Sequence, residues 1–102
     1  MTGEEEQRVI AEFTDTARKR VEQVGGRAAA VVHELRAELE VTPRLGRMVG
    51  VVKGGTEIWV TRTEPREFLP GLTVTYVYTP EPPPPTAVIV SVVPDDGDDA
   101  RA

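Results

Sequence analysis

The feature that most constrains the fold is a pair of segments at 72–79 and 87–93, joined by a run of prolines. Apolar and polar side chains largely alternate in the first segment, which is the period-two pattern of a strand with one buried face. The second segment is apolar except for Ser91, as expected for an interior strand with both faces covered. The PEPPPP sequence at 80–85 is too long for a two-residue turn and predicts a stiff, projecting loop. The rest of the chain must pack against these two strands.

A short strand and two helices are predicted ahead of this pair. Residues 8–13 alternate in the manner of a strand. Apolar side chains then recur at helical spacing, first over 17–24 and again over 27–40. Gly25 and Gly26 separate the two stretches, and glycine's access to positive φ permits a sharp reversal there. The sequence therefore predicts a helical hairpin.

One further strand is predicted between the hairpin and the strand pair, at 56–63. The segment 44–55 is punctuated by glycines and predicts a loop that ends in a turn at Gly54-Gly55. The element order is then β-α-α-β-β-β. We expect an α+β fold in which the helical hairpin packs on one face of a small antiparallel sheet. An exposed edge at 56–63 would be able to pair with another chain.

Charge is unevenly distributed along the chain. The predicted domain spans 8–94, between an acidic N-terminus at 1–7 and an acidic tail at 95–102, and we expect both ends to be disordered. These ends hold seven of the 17 acidic residues and one of the 12 basic residues, so the net charge of −5 comes from them. The folded part is close to neutral. Nucleic-acid-binding domains usually carry a clear basic excess, so the composition does not favour that class.

The residue types present exclude several kinds of site. With no cysteine and one histidine, the chain has no disulfide, thiolate nucleophile, Cys-ligated zinc or multi-histidine metal cluster. Carboxylates would still be able to bind Mg²⁺ or Ca²⁺, but the sequence has no EF-hand-like spacing, and we predict no metal site and no cofactor. No apolar run is long enough to span a bilayer, and the acidic start of the chain is unlike a signal peptide, so we expect a cytoplasmic protein that does not contact membranes.

Several segments share a pattern with one known family. They are FTDTARKRVEQV at 13–24, AAAVVHELRAELEVTPRLG at 28–46, EIWVTR at 57–62, and VTYVY at 74–78 followed by the apolar strand at 88–93. In the first, a strand leads into a capped helix; in the second, a helix is broken by Thr-Pro and followed by Arg-Leu-Gly. Over about residues 8–94 this order resembles the RelE/ParE family of bacterial type II toxins. The resemblance implies a helical hairpin on a twisted antiparallel sheet, a role in a toxin-antitoxin system and a cognate antitoxin as partner.

The resemblance implies two kinds of target. Catalytic members of the family cleave messenger RNA on the ribosome with arginines, lysines and an aromatic residue or histidine, whereas ParE-like members inhibit DNA gyrase. In this chain Thr75 precedes Tyr76, where the family usually has an arginine beside a tyrosine, and the family's basic end is replaced by Pro94-Asp95-Asp96.

We therefore hypothesise a toxin-fold protein that binds protein partners, an antitoxin first and gyrase second. The alternatives are a ribosome-dependent messenger RNA endonuclease and a non-toxic interaction module of the same fold. Oligomeric state does not follow from the sequence.

Three basic residues are candidates for catalytic or phosphate contact under the nuclease hypothesis. Arg62 lies at a predicted strand end, and Arg66 and Lys53 lie on the flanking loops. The alternative is that all three are solvated charges at the edge of the sheet, which is the usual state of isolated surface charges.

Trp59 is the candidate for partner binding, together with Arg62. Trp59 lies between Ile58 and Val60, so its side chain points to the opposite face of the strand from theirs. We therefore expect it on the sheet face that the helices leave uncovered, where a large aromatic side chain commonly marks a contact surface. The alternative is a small second cluster with residues 68–69.

Other aromatic and titratable side chains have simpler explanations. Tyr76 and Tyr78 point to the same side of their strand as its apolar residues Leu72 and Val74, so they are predicted to lie in the core. Histidine is the commonest general base in enzymes, but helical phase places His33 on the polar face of the second helix. We therefore predict a surface histidine and not a general base.

Overall fold

The computed structural model describes residues 9–65 and 71–94. Over these residues the chain forms two helices and one five-stranded sheet, which confirms the α+β class. The helices are α1 (Asp15–Val24) and α2 (Gly26–Leu39); the strands are β1 (Ile10–Phe13), β2 (Arg47–Val52), β3 (Thr56–Arg62), β4 (Leu72–Thr79) and β5 (Thr86–Pro94). The predicted order of a strand, two helices and then strands is present, with β2 as an additional strand. The ends predicted to be disordered, 1–7 and 95–102, lie outside the described residues, as do Arg66 and the pair 68–69.

Strand β2 corrects the prediction of a loop over 44–55. Residues Arg47–Val52 pair antiparallel with β3, and the predicted turn follows at Gly54-Gly55, where both glycines have positive φ. The period-two signal was hidden because β2 is apolar on both sides of the strand, contains Gly50, and is interrupted by a register shift between Met48 and Gly50.

The sheet is mixed and not purely antiparallel. Its strand order is β1-β5-β4-β3-β2, in which β1 runs parallel to β5 and the other neighbours run antiparallel. The helical hairpin carries the chain from β1 at one edge to β2 at the other, and the last strand returns beside the first. Parallel pairing of β1 with β5 is the consequence of that path.

Thr14 sets the start of α1, and Gly25 sets the turn between the helices. Thr14 caps α1 by accepting a hydrogen bond from the backbone N–H of Ala17 at 3.1 Å, which satisfies one of the free donors of the first turn. Gly25 lies between the helices with φ of 104°, a conformation that favours glycine. Neither this hairpin nor any other described part of the chain contains a helix long and apolar enough to cross a bilayer.

The core lies between the two helices and one face of the sheet. Its buried side chains come from β1 and the residue before it, from one stripe on each helix and from alternate positions of β4 and β5: Val9, Ala11, Ala17, Val21, Ala28, Val32, Leu35, Leu39, Leu72, Val74, Tyr76, Tyr78, Ala87, Ile89 and Val92. Burial of each large apolar side chain contributes about 1.5–3 kcal/mol. The prediction that Tyr76 and Tyr78 belong to the core is confirmed.

The opposite face of the sheet is not covered by a helix in the described structure. Strand β5 is interior, as predicted, but the expectation that both of its faces are covered is wrong. Val88 and Val90 are half-buried and Val93 is exposed, whereas Ala87 and Ile89 on the helix side are buried. The apolar sequence of β5 was compatible with two covered faces, but only its helix-facing side chains are fully buried.

Candidate functional site

The uncovered face of the sheet, called here the open face, is built from alternate residues of all five strands. The cross-strand register sets three bands on it: a threonine band of Thr56, Thr79 and Thr86, an apolar band of Ile58, Val77 and Val88, and a mixed band of Arg47, Val60, Thr75 and Ser91. These residues are half-buried, except the exposed Arg47. An uncovered surface of this kind is suited to contact with a flat partner.

Strand β2 is an exposed edge of the sheet. Its only strand neighbour in the described structure is β3. Four large apolar side chains are 46–58% exposed on it: Met48, Val49, Val51 and Val52. The prediction that 56–63 forms an edge is wrong, because β3 lies between β2 and β4. An apolar edge strand presents unpaired backbone groups and is a template for pairing with another chain.

Trp59 does not lie on the open face, contrary to the prediction. It is opposite Tyr76 in the β3–β4 register, so it lies on the helix side of the sheet and packs against the core. The alternation of side chains along β3 correctly placed Trp59 on the opposite face from Ile58 and Val60. The prediction was wrong about which of the two faces is covered by the helices. All three side chains are half-buried, so their own burial does not identify the face.

Trp59 belongs to a cluster of polar contacts at the border of the core. Glu57 accepts two hydrogen bonds from Arg44, at 3.0 and 2.9 Å, and one from the Trp59 indole N–H at 2.9 Å. The Arg44 guanidinium also lies 5.1 Å from the centre of the Tyr78 ring. The hydrogen bonds from Arg44, and then that from Trp59, lower the pKa of the Glu57 carboxyl. The hydrogen bond to Glu57 likewise raises the pKa of Arg44.

Tyr76 holds the loop that leads into β2. Its buried hydroxyl accepts a hydrogen bond from the backbone N–H of Leu45 at 2.8 Å and lies 2.7 Å from the carbonyl oxygens of both Pro43 and Leu45, to either of which it can donate. Burial raises the pKa of Tyr76. The hydroxyl therefore positions the start of the edge strand and is not available to a ligand.

Arg62 has a basic neighbour that the sequence did not indicate. Arg47 is opposite Val60, and Arg62 follows two residues later on the same face of β3. Diagonal neighbours of this kind have Cβ atoms roughly 7 Å apart. Both arginines line a shallow cleft of about 390 Å³ beside Gly46. Arg47 was missed because the strand that carries it was not predicted.

The structure separates Lys53 from this pair. Lys53 lies in the turn before β3 and Arg62 is the last residue of β3, so about six strand residues, or roughly 20 Å, lie between them. Arg66 lies outside the described residues. Lys53 and Arg62 therefore do not form one phosphate site.

Carboxylates lie near Arg62 on the side next to α2, where Glu34, Glu38 and Glu64 line a cleft with it, but the strand register places none of these three on the open face. The only carboxylate that the register assigns to the open face is Glu12, on the opposite edge strand, about four strand spacings or roughly 19 Å from Arg47. A proton-transfer group must lie within hydrogen-bond reach of its target.

His33 is exposed on α2, as predicted, and contacts the Phe13 ring edge-on with 5.4 Å between centroids. No group of three His, Asp or Glu side chains suited to a metal ion occurs in the described ranges.

Comparison of the chain with protein-family models, curated proteins and solved structures gave no match.

Proposed function

We propose that this chain is a cytoplasmic RelE/ParE-like toxin-fold protein of a toxin-antitoxin system, and that it acts by binding protein partners. The partners are an antitoxin first and DNA gyrase as the target. The observation that supports the proposal is the exposed apolar edge strand β2 beside an open sheet face. The element order of the resemblance, with a helical hairpin on one face of the sheet, is consistent with it.

The exposed apolar surface favours a partner on energetic grounds. Met48, Val49, Val51 and Val52 are each about half exposed. Covering the exposed half of one such side chain contributes roughly 1 kcal/mol. Main-chain hydrogen bonds along the edge would add to this and would align the partner. Strand β2 is therefore the part of the described structure that gains most from an interaction.

The ribonuclease alternative has one supporting observation, which is the proximity of Arg47 and Arg62. Two guanidinium groups at one corner of the open face suit contact with phosphate. Cleavage through a ribose 2′-hydroxyl also needs a base and an acid near the same phosphate. On the open face the register assigns a carboxylate to Glu12, at the far edge. Glu34, Glu38 and Glu64 line a separate cleft with Arg62 beside α2, and Arg47 is not part of that cleft. We therefore prefer partner binding, either as a toxin or, if toxicity has been lost, as an interaction module.

Co-expression with the product of the neighbouring reading frame tests this proposal. We expect a complex that survives size-exclusion chromatography and that is weakened by Val51→Glu, which places a charge on the exposed apolar edge. The matched control is Lys19→Glu on the exposed face of α1, which should leave the complex intact. The proposal fails if no complex forms and if expression of the chain alone is harmless to cells.

A further inference from the structure

We infer that β2 binds an extended segment of the partner as an added strand, and that this segment is apolar in its centre and carries carboxylates at both ends. The inference deepens the proposed partner binding and rests on it. It specifies the chemistry of the partner segment that occupies the edge.

The first observation is the backbone of β2. Strand order places β2 at the end of the sheet, hydrogen-bonded to β3 on one side and to no described strand on the other. The register shift at Val49 divides it into two short stretches, 47–48 and 50–52, of which the second is the longer. An added strand would pair with the outward backbone groups of these stretches.

The second observation is the pattern of exposed side chains. Met48 and Val51 lie on the helix side of the sheet, opposite Trp59 and Glu57, whereas Val52 lies on the open side, opposite Thr56. Apolar surface is thus exposed on both faces of the edge. An added strand covers both faces with alternate side chains, since cross-strand neighbours are about 5 Å apart. A helix laid on one face would leave the other exposed.

The third observation is charge at the two ends of β2. Arg47 is its first residue and Lys53 follows its last residue, and no carboxylate occurs between them in the sequence. The nearest carboxylate on β3, that of Glu57, is engaged by Arg44 and Trp59. The edge is therefore positive at both ends and apolar between them, which complements a segment with acidic ends.

The same charges disfavour a second copy of this chain as the occupant. The antiparallel register that pairs all six residues of β2 with those of a second copy sets Arg47 opposite Val52 of that copy, one residue from its Lys53. The two-fold symmetry repeats this like-charge approach at the other end. Successive strand positions point to opposite faces, so this is not a direct cross-strand pair, but the seam would hold four basic side chains and no carboxylate of β2, whereas acidic ends would neutralise that charge.

The test uses synthetic peptides and the full chain. The probe is a fluorescein-labelled peptide of alternating valine and threonine with two aspartates at each end, and its match carries lysines in place of the aspartates. Fluorescence anisotropy should show that the aspartate peptide binds at least about tenfold more tightly than the lysine peptide. The aspartates attract the basic residues at both ends of β2, whereas the lysines are repelled by them. The double variant Arg47→Glu/Lys53→Glu should reverse the order of the two peptides. Lys19→Glu should keep it.

Backbone methylation tests strand addition separately from charge. Two further aspartate peptides are methylated on the nitrogens of all valines or of all threonines, so that one of them cannot donate its hydrogen bonds to β2. One of these should lose binding and the other should retain it. If both methylated peptides still bind, strand addition is overturned. Circular dichroism of the Arg47→Glu/Lys53→Glu and Lys19→Glu variants shows whether each remains folded.

Failure of the inference can be distinguished from failure of the proposed function. If the neighbouring gene product binds the wild-type chain and the double variant equally, partner binding stands and the role of the β2 edge is wrong. If neither the peptides nor the gene product bind, both fail. If light scattering shows a dimer that Val51→Glu dissociates, the occupant is a second copy and the inference is overturned.

Discussion

Replacement of Tyr76 by phenylalanine tests how the loop before β2 is held. The substitution keeps the buried ring and removes only the hydroxyl, which joins the backbone of Pro43 and Leu45 to the core. Two hydrogen bonds are lost, each with a net value of about 1 kcal/mol, and the Leu45 N–H loses its partner. We expect the free energy of unfolding to fall by about 2–3 kcal/mol, a large part of the 5–15 kcal/mol that is typical of a domain.

Urea denaturation followed by the fluorescence of Trp59 measures this loss. The midpoint should fall while the slope with urea stays unchanged, because the surface exposed on unfolding is the same. The matched control is Tyr78→Phe, since the structure gives the Tyr78 hydroxyl no hydrogen bond to a described residue, and it should cost less than about 0.5 kcal/mol. A loss below about 0.5 kcal/mol for Tyr76→Phe would refute the reasoning.

The same hydroxyl predicts a dependence on alkaline pH. Burial raises the pKa of Tyr76 above its ordinary value of 10.0. Above that pH the unfolded chain releases the proton before the folded chain does, so the stability that Tyr76 contributes is fully present below pH 10 and falls as the pH rises further. The wild-type chain should therefore lose more stability than Tyr76→Phe when both are denatured above about pH 10. Equal losses would contradict the account.

Two further substitutions, the second with a matched control, test other contacts around β2 and β3. Glu57→Gln should lower the free energy of unfolding by about 1 kcal/mol at neutral pH, because it removes charge from hydrogen bonds with the half-exposed Arg44 and with Trp59. Since the pKa of Glu57 is lowered, its contribution is present above about pH 4.5 and is lost on acidification, so acid denaturation should be shallower in the variant, and an unchanged profile would contradict this. Gly46→Ala should cost about 3 kcal/mol or more by urea denaturation, because Gly46 has φ of 97° and a Cβ there would collide with the Val60 carbonyl oxygen and lie 2.8 Å from the Thr61 Cβ. Gly54→Ala, with φ of 92° but open space around it, should cost only about 1 kcal/mol, and equal losses in both variants would remove the close-approach argument.

The sequence predicts the parts of this fold that face the core. Strand β4 was identified because Leu72, Val74, Tyr76 and Tyr78 are buried on one side and the other side is largely polar. The helices were identified because each buries one stripe. Strand β2 has no buried face, and its apolar residues point to both sides, so no period-two signal distinguishes it from a loop.

The candidate site was less predictable because it depends on pairing between distant segments. Parity along β3 separates Trp59 from its neighbours, but the helix side is identified only when Trp59 is paired with Tyr76. The proximity of Arg47 to Arg62 likewise requires the β2–β3 register. The parallel neighbours β1 and β5 are about 75 residues apart in the chain, and no local pattern predicts such a contact.

Growth after induced expression tests the proposed function most directly, with the neighbouring reading frame supplied or withheld and with messenger RNA integrity followed in the same cells. Partner binding through the edge strand predicts growth arrest, rescue by the neighbouring gene product, loss of rescue when the chain carries Arg47→Glu/Lys53→Glu, and intact messenger RNA throughout. Cleaved messenger RNA would establish the nuclease alternative. Unimpaired growth together with no complex between the two products would contradict the toxin-antitoxin proposal.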